Sequence, residues 1–373
     1  MAVLEQAVRA ALATVKDPEI RRPITELDMV EHLAVSADGV VELTVLLTIA
    51  GCPLKGTIEK DVTAAVRSVP GVTDIKLTLG VMSEDQRKAL RTHLRGGATI
   101  DIPFARPGSL TRVIAVASGK GGVGKSSVTV NLAAAIAATG QSVGVLDADV
   151  YGFSVPRMMG VTSRPTRVDD MILPPVAHGV KVISVGMFVQ GNAAVVWRGP
   201  MLHRALEQFL GEVFWGDLDV LLMDLPPGTG DIAISTAQLV PTTELLVVTT
   251  PQTAASEVAE RAGSIAVQTR QKVVGVVENM GPMTLPDGSV LDLFGTGGGD
   301  ALAGTLSRLT GTAVPLLGRV PLDPALRLAG DAGVPLVLSQ PQAPAAAALR
   351  AVADQIVARP ARLVGRALPL SVG

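Results

Sequence analysis

Cysteine is almost missing from this chain: Cys52 is the single one in 373 residues. No internal disulfide can form, and the compartment expected from that usage is the reducing cytoplasm. An excess of charge is missing too. The formal net charge is −2 and the isoelectric point is near 6.1, so no basic bias points to nucleic acid or to an anionic membrane surface, and neither partner is expected. Hydrophobic residues make up 48% of the chain, yet the longest apolar runs are strand-sized. They fall short of the roughly 20 residues that span a bilayer. The N-terminus opens directly on a helical pattern and lacks the charged-then-apolar order of a secretory signal. The length allows two domains with ample core.

What is present centres on Gly119-Lys120-Gly121-Gly122-Val123-Gly124-Lys125-Ser126. These residues fill the phosphate-binding pattern G-x-x-x-x-G-K-[ST]. They lie between an apolar run, Val113 to Ala117, that reads as a buried strand, and a helical stretch from Ser127 to about Thr139. Glycines let the backbone curl with its N–H groups turned toward phosphate, and the following helix offers its positive end. Lys125 is suited to the β- and γ-phosphates and Ser126 to Mg²⁺, so residues 119–127, Ser127 included, form the expected nucleotide-binding set. Lys120 is a second lysine that the pattern does not require, and a solvated loop lysine is its plain alternative.

Carboxylates follow at strand ends. Ser142 to Leu146 reads as a strand running into Asp147-Ala148-Asp149, on the edge where doubly wound sheets bind ligands. Capping of the strand end is the structural alternative for both acids. Asp219 to Asp224 repeats the pattern, apolar strand into aspartate, that suits a Mg²⁺-water ligand beside a phosphate loop. The Pro-Gly-rich stretch Leu225 to Asp231 can hold a backbone N–H near a γ-phosphate. Glu244 to Thr250 and Val273 to Val277 are further buried strands, the second ending in Glu278-Asn279-Met280. The expected fold class is α/β: a P-loop NTPase with a mostly parallel sheet, preceded by a small α+β domain.

That small domain reads as α-β-β-α-β. Leu4, Val8, Ala11 and Leu12 keep helical spacing; strands run from Met29 to Val35 and from Val40 to Ile49, with Ala37-Asp38-Gly39 as the turn. A helix from Pro53 to Val69 and a strand from Val72 to Leu79 complete it. The expected division is 1–95 for this domain, 96–111 for a linker and 112–373 for the NTPase domain. Cys52 stands at a helix start, where the positive end lowers a thiol pKa and suits metal binding; a small packing residue is the alternative.

The version K-G-G-x-G-K-[ST] at 120–126 resembles the deviant loop of MinD/ParA-like ATPases. The run Asp224 to Asp231, D-x-P-P-G-T-G-D, closely resembles the second switch of the Mrp family. Asp147 to Gly152 is similar to its first switch, and Glu278-Asn279-Met280, Leu293 to Gly299 and Val320 to Pro324 match it as well. The stretches around Asp17-Pro18-Glu19 and Thr48 to Leu54 resemble the small domain of iron–sulfur assembly proteins of the SufT and Mrp kind. Over roughly residues 10–335 the chain therefore resembles an Mrp/ApbC-type iron–sulfur cluster carrier ATPase. The resemblance implies a homodimer that hydrolyses ATP slowly with Mg²⁺, holds a bridging [4Fe–4S] cluster and passes it to client apoproteins. It implies catalytic roles for Lys120, reaching the partner's phosphate, for Lys125, and for Asp149, orienting water. It places Mg²⁺ at Ser126, Asp149 and Asp224, and the adenine edge at Asn279.

One departure matters. Leu285 and Gly288 occupy the positions where the family carries C-x-x-C. A [4Fe–4S] cluster normally takes four thiolates, and two copies of this chain bring only two, both Cys52. The carrier reading then depends on Cys52 or on a partner's ligands. Asp287, His178 and His203 are further donors, with no spacing that favours them. An ATP-gated dimeric scaffold without a cluster is one rival. A MinD/ParA-like positioning ATPase is the other, and it would need a basic face or tail; Arg359 to Arg366 carries charge but is broken by Pro360 and Gly365.

Overall fold

The computed structural model describes residues 2–18, 20, 22–48, 54–83, 85–86, 89–90, 101–150, 152–169, 171–188, 199–228, 231–252 and 255–358. The expected metal or packing residue Cys52, residues 91–100 (the end of the expected small domain and the start of the expected linker) and the tail from 359 lie outside them. The chain forms two compact units. The first comprises 1–100 with 163–175 and 212–216; the second comprises 101–162, 176–211 and 217–373.

In the first unit, α1 (Ala2–Leu12) turns Val8 and Leu12, both fully buried, toward a three-stranded sheet. Strands β1 (Val30–Val35) and β2 (Val40–Leu47) pair antiparallel, and β2 pairs in parallel with β3 (Asp74–Val81). The β1–β2 turn needs its glycine. Gly39 has φ +81°, and a Cβ there would stand 2.3 Å from the carbonyl oxygen of Gly71. Along β2 the exposed Glu42 alternates with buried Val41 and Leu43, the period of a one-sided sheet. Helix α2 (Lys55–Arg67) covers it with Ile58, Val62 and Val66. The same core contains Val168, Met171, Leu173 and Phe214, which the chain supplies far downstream. Val168, Met171 and Leu173 come from an antiparallel hairpin, β6 (Thr166–Val168) with β7 (Met171–Leu173). The backbone N–H of Ile172 donates to Glu212 and its carbonyl accepts from Phe214, which makes an isolated parallel bridge between Ile172 and Val213.

The second unit is a mostly parallel eight-stranded sheet. Its strands are β4 (Arg112–Ala117), β5 (Val143–Asp147), β8 (Val176–Ala177), β9 (Val180–Ser184), β10 (Val220–Asp224), β11 (Glu244–Thr249), β12 (Val273–Gly281) and β15 (Leu316–Pro321). The order across the sheet is β15-β12-β11-β4-β10-β5-β9-β8, with β8 alone antiparallel to its neighbour. Five residues of β10 and five of β5 are buried, the continuous apolar pattern of strands covered on both faces. Helix α3 (Lys125–Ala138) is buried on nearly every side from Val128 to Ile136. It packs under α11 (Pro344–Ala358), whose Leu349, Val352 and Ile356 join the same core. Between these lie α4 (Val155–Met158), α5 (Gly199–Gly211), α6 (Asp231–Leu239), α7 (Ala255–Thr269), α8 (Gly298–Thr310), α9 (Pro324–Ala332) and α10 (Leu336–Ser339). A small hairpin, β13 (Met283–Thr284) with β14 (Val290–Leu291), follows β12.

Candidate functional site

Parallel register brings the motifs together. Asp224 at the end of β10 lies level with Asp147 of β5 on one side and Val116 of β4 on the other. The glycine-rich loop leaves β4 one residue after Ala117, so both carboxylates stand beside it. At the other end of the loop, Gly124 sits before α3 with φ +78° and no side chain caps the helix. The first N–H groups of α3 are thus offered to an anion, with the helix dipole behind them.

Three side chains from the first turns of α3 converge on Asp224, which is wholly buried. Lys125 Nζ is 2.7 Å from Oδ1, Ser126 Oγ donates to Oδ2 at 2.5 Å, and Thr129 Oγ1 donates to Oδ1 at 2.9 Å. Lys125 Nζ also lies 4.0 Å from Oδ2 of Asp149. The second loop lysine, Lys120, is exposed and donates to Oε1 of Gln252 at 2.7 Å. The proline-rich loop meets the glycine loop through the N–H of Gly228, which donates to Ser118 at 2.9 Å.

Asp147 is engaged by the backbone. Its Oδ1 accepts from the N–H of Asp149, and its Oδ2 accepts from the N–H of Val155 and the Ser184 hydroxyl. Burial, and then the charge of Asp224, push its carboxyl up to about 7. A carboxyl so placed shapes the loop carrying Asp149, and the Ser184 contact comes from a strand no local motif marks.

Asn279 lies at the far wall. Its Nδ2 donates to the carbonyl of Val123 at 2.9 Å, and a Cβ on Gly124 would stand 2.2 Å from that nitrogen. Glycine at 124 is therefore required twice, by φ and by close approach. Next to Asn279, Met280 takes a left-handed φ of +62° where the pairing of β12 with β15 slips. Glu278, 1% exposed, accepts from the N–H of Gly299 at 2.6 Å and faces Arg319, tying the strand end to the start of α8. Gly124, Ser127, Asn279, Met280 and Pro321 line a cavity of about 290 Å³ that α4 and α9 close from the other side.

An uncapped helix N-terminus open to phosphate, beside a cavity lined by Gly124, Ser127 and Asn279, is the layout of a mononucleotide site. The family model described as the NUBPL iron-transfer P-loop NTPase matches residues 109–357. The chain belongs to that family. A second model, described as an iron–sulfur cluster assembly protein, matches residues 5–77. A Mycobacterium tuberculosis relative described as an iron–sulfur cluster carrier protein is 63% identical over 368 residues, spanning 98% of this chain and 97% of its own. A Deinococcus radiodurans relative of the same description is 46% identical, spanning 94% of each chain. Among solved structures, a nucleotide-binding protein from Archaeoglobus fulgidus in complex with ADP is 35% identical with a TM-score of 0.53, covering 64% of this chain and 92% of its own.

After Met280 the chain turns back on itself. The positions expected to hold C-x-x-C form a closed turn: Leu285 donates its N–H to Ser289 at 2.8 Å, and Gly288 donates to Leu285 at 2.9 Å. Gly288 has φ +83°. Asp287 accepts from the hydroxyl and the N–H of Ser289, which hold its carboxyl below the usual range. His178 rests its Nε2 at 3.1 Å from the carbonyl of Gly333. Among the described residues, no group of three or more His, Cys, Asp or Glu side chains could hold a metal ion. The donor set at Asp224 and Ser126, one carboxylate and one hydroxyl, is hard oxygen and suits Mg²⁺ completed by phosphate and water. Sequence reasoning missed Thr129, Ser184 and Gln252. Thr129 lay one helical turn past Ser126, a phase that the helix prediction already contained.

Proposed function

We propose that this chain is a homodimeric, Mg²⁺-dependent ATPase that carries or assembles iron–sulfur clusters for client apoproteins in the cytoplasm. The observation that carries the nucleotide part is the convergence of Lys125, Ser126 and Thr129 on Asp224 at an uncapped helix N-terminus. Arriving phosphate draws Lys125 away from Asp224, since a polyanion outcompetes one carboxylate for the ammonium. Ser126 and Asp224 would hold Mg²⁺, and Thr129 keeps Asp224 oriented through its hydrogen bond to Oδ1. A Mg²⁺ held there would supply positive charge to the phosphates during transfer. Asp149, held by the Asp147 loop, orients the attacking water. Lys120 contributes a second positive charge to the transferring phosphate, and Asn279 sets its free amide oxygen toward the amino group of adenine.

The cargo reading rests on the family and on relatives described as cluster carriers. The NTPase unit offers no thiolate at Leu285 or Gly288, so a bound cluster would take ligands from Cys52 or from a partner protein. The closed turn at 285–289 favours a second reading, a nucleotide-gated scaffold that brings client and cluster donor together. Anaerobic reconstitution with ferrous iron and sulfide, followed by desalting and counting of both per dimer, separates the two. Stoichiometric iron and acid-labile sulfide, lost in Cys52→Ser, supports the carrier. Intact ATPase activity without retained iron supports the scaffold. No ATP hydrolysis in the wild type would overturn both.

A further inference from the structure

Lys120 has a partner that neither its motif nor its family role calls for. β11 ends at Thr249 and continues as Thr250-Pro251-Gln252, next to β4 and the mouth of the glycine loop. That extension is anchored: the carbonyl of Pro251 accepts from the N–H of Gly298 at 3.1 Å, and a Cβ on Gly298 would stand 2.6 Å from the carbonyl oxygens of both Thr250 and Pro251. Gln252 follows directly from this anchored strand end, and its Oε1 accepts from the ammonium of Lys120 at 2.7 Å. We propose that Gln252 is a resting catch for Lys120, a positioning residue that keeps the ammonium on its own chain until a nucleotide phosphate takes it. The inference rests on the ATPase reading above.

The choice of an amide suits the task. A neutral oxygen holds an exposed ammonium weakly, and a phosphate carrying two or more negative charges displaces it. A carboxylate in the same place would compete with phosphate. An alanine would leave the lysine unheld. Each contact of this exposed kind shifts an equilibrium by roughly two- to fivefold. In a homodimer the contact is released once per protomer, so the two factors multiply to roughly four- to twenty-fivefold in the dimer constant.

The test uses full-length wild type, Gln252→Ala, Gln252→Glu, Lys120→Ala and the two doubles. ATP binding is followed with a fluorescent ATP analogue, and ATP-dependent dimerisation by sedimentation as a function of protein concentration, a readout that remains available when Lys120→Ala slows turnover. Both Gln252 variants sit at an exposed site, and unchanged melting temperatures check that they fold. The expected result is that Gln252→Ala lowers the protein concentration of half-maximal dimerisation and Gln252→Glu raises it, with affinity for the fluorescent ATP analogue little changed. In the Lys120→Ala background neither substitution has an effect, an outcome that a merely structural glutamine would not produce. The inference is overturned if Gln252→Ala and Gln252→Glu behave as wild type, or if their effects persist without Lys120. A wild type that binds no ATP would instead overturn the ATPase reading, and this inference with it.

Discussion

The core of the first unit borrows residues from two later stretches of chain, and truncating one of them tests that arrangement. Leu173 is fully buried and packs in a cluster with Val8, Leu12, Val41, Leu43 and Val62. Leu173→Ala removes three carbon atoms from a site whose neighbours belong to paired strands and covering helices, which collapse poorly into a void. The expected cost is about 2–5 kcal/mol. The reporter is hydrogen exchange of the amides of β2, the central strand of the unit's own sheet. If those amides exchange by unfolding of the unit, a loss near 3 kcal/mol speeds them by about a hundredfold, at tenfold for each 1.4 kcal/mol. Phe214→Ala should act in the same direction from the second borrowed stretch. Leu328→Ala, at a residue 54% exposed in the other unit, should leave β2 unchanged. A corollary is that residues 1–100 alone, lacking Val168, Met171, Leu173 and Phe214, bind hydrophobic dyes and show a broadened melt. If Leu173→Ala leaves the β2 amides within twofold of wild type, the shared core is refuted.

Four further outcomes are expected. Gly124→Ala should weaken nucleotide binding by at least tenfold, because a Cβ collides with Asn279 and φ +78° costs roughly 1–2 kcal/mol outside glycine; titration with a fluorescent nucleotide reads it. Ser126→Ala and Asp224→Asn should abolish Mg²⁺-stimulated hydrolysis while the far-ultraviolet circular dichroism stays native, as measured by phosphate release with and without chelator. Asp147 gives a pH dependence: its folded pKa, about 7, lies above the ordinary 3.8, so its contribution to stability is full below pH 4 and is lost as pH rises through 7. That loss is on the order of 4 kcal/mol at most at 1.36 kcal/mol per unit, and melting temperatures across pH 5–8 should show a steeper decline in wild type without nucleotide than in Asp147→Asn. Finally, Gly288→Cys should destabilise by roughly 1 kcal/mol because φ is +83°, and Leu285→Cys with Gly288→Cys should gain iron only as the turn's two backbone hydrogen bonds open, read by iron retention beside thermal melts.

Much of the nucleotide site was legible because its chemistry is local in sequence. Gly119 to Ser126 must lie between a strand and a helix for its N–H groups to converge, and an apolar run ending in Asp224 must reach the ligand edge of a parallel sheet. Those constraints act over a few residues, and the strand–loop–helix order and the level placement of Asp147 and Asp224 agree with them. The α-β-β-α-β order of the first unit was equally readable from periodicity, with Gly39 marking its hairpin.

Contacts across long separations were not legible. Asn279 meets Val123 across 156 positions, and Lys120 meets Gln252 across 132. Hydrogen bonding of this kind depends on strand order and loop path, which hydrophobic period does not encode. The hairpin at 166–173 falls within the stretch expected as the NTPase domain, and only packing assigns it to the core of the first unit. The turn at 285–289 makes the same point for the cargo. Sequence alone determined that Leu285 and Gly288 bring no thiol; the tertiary structure decided that the loop is closed on itself, because Gly288 accepts a left-handed backbone and the N–H groups of Leu285 and Gly288 find carbonyl partners inside it.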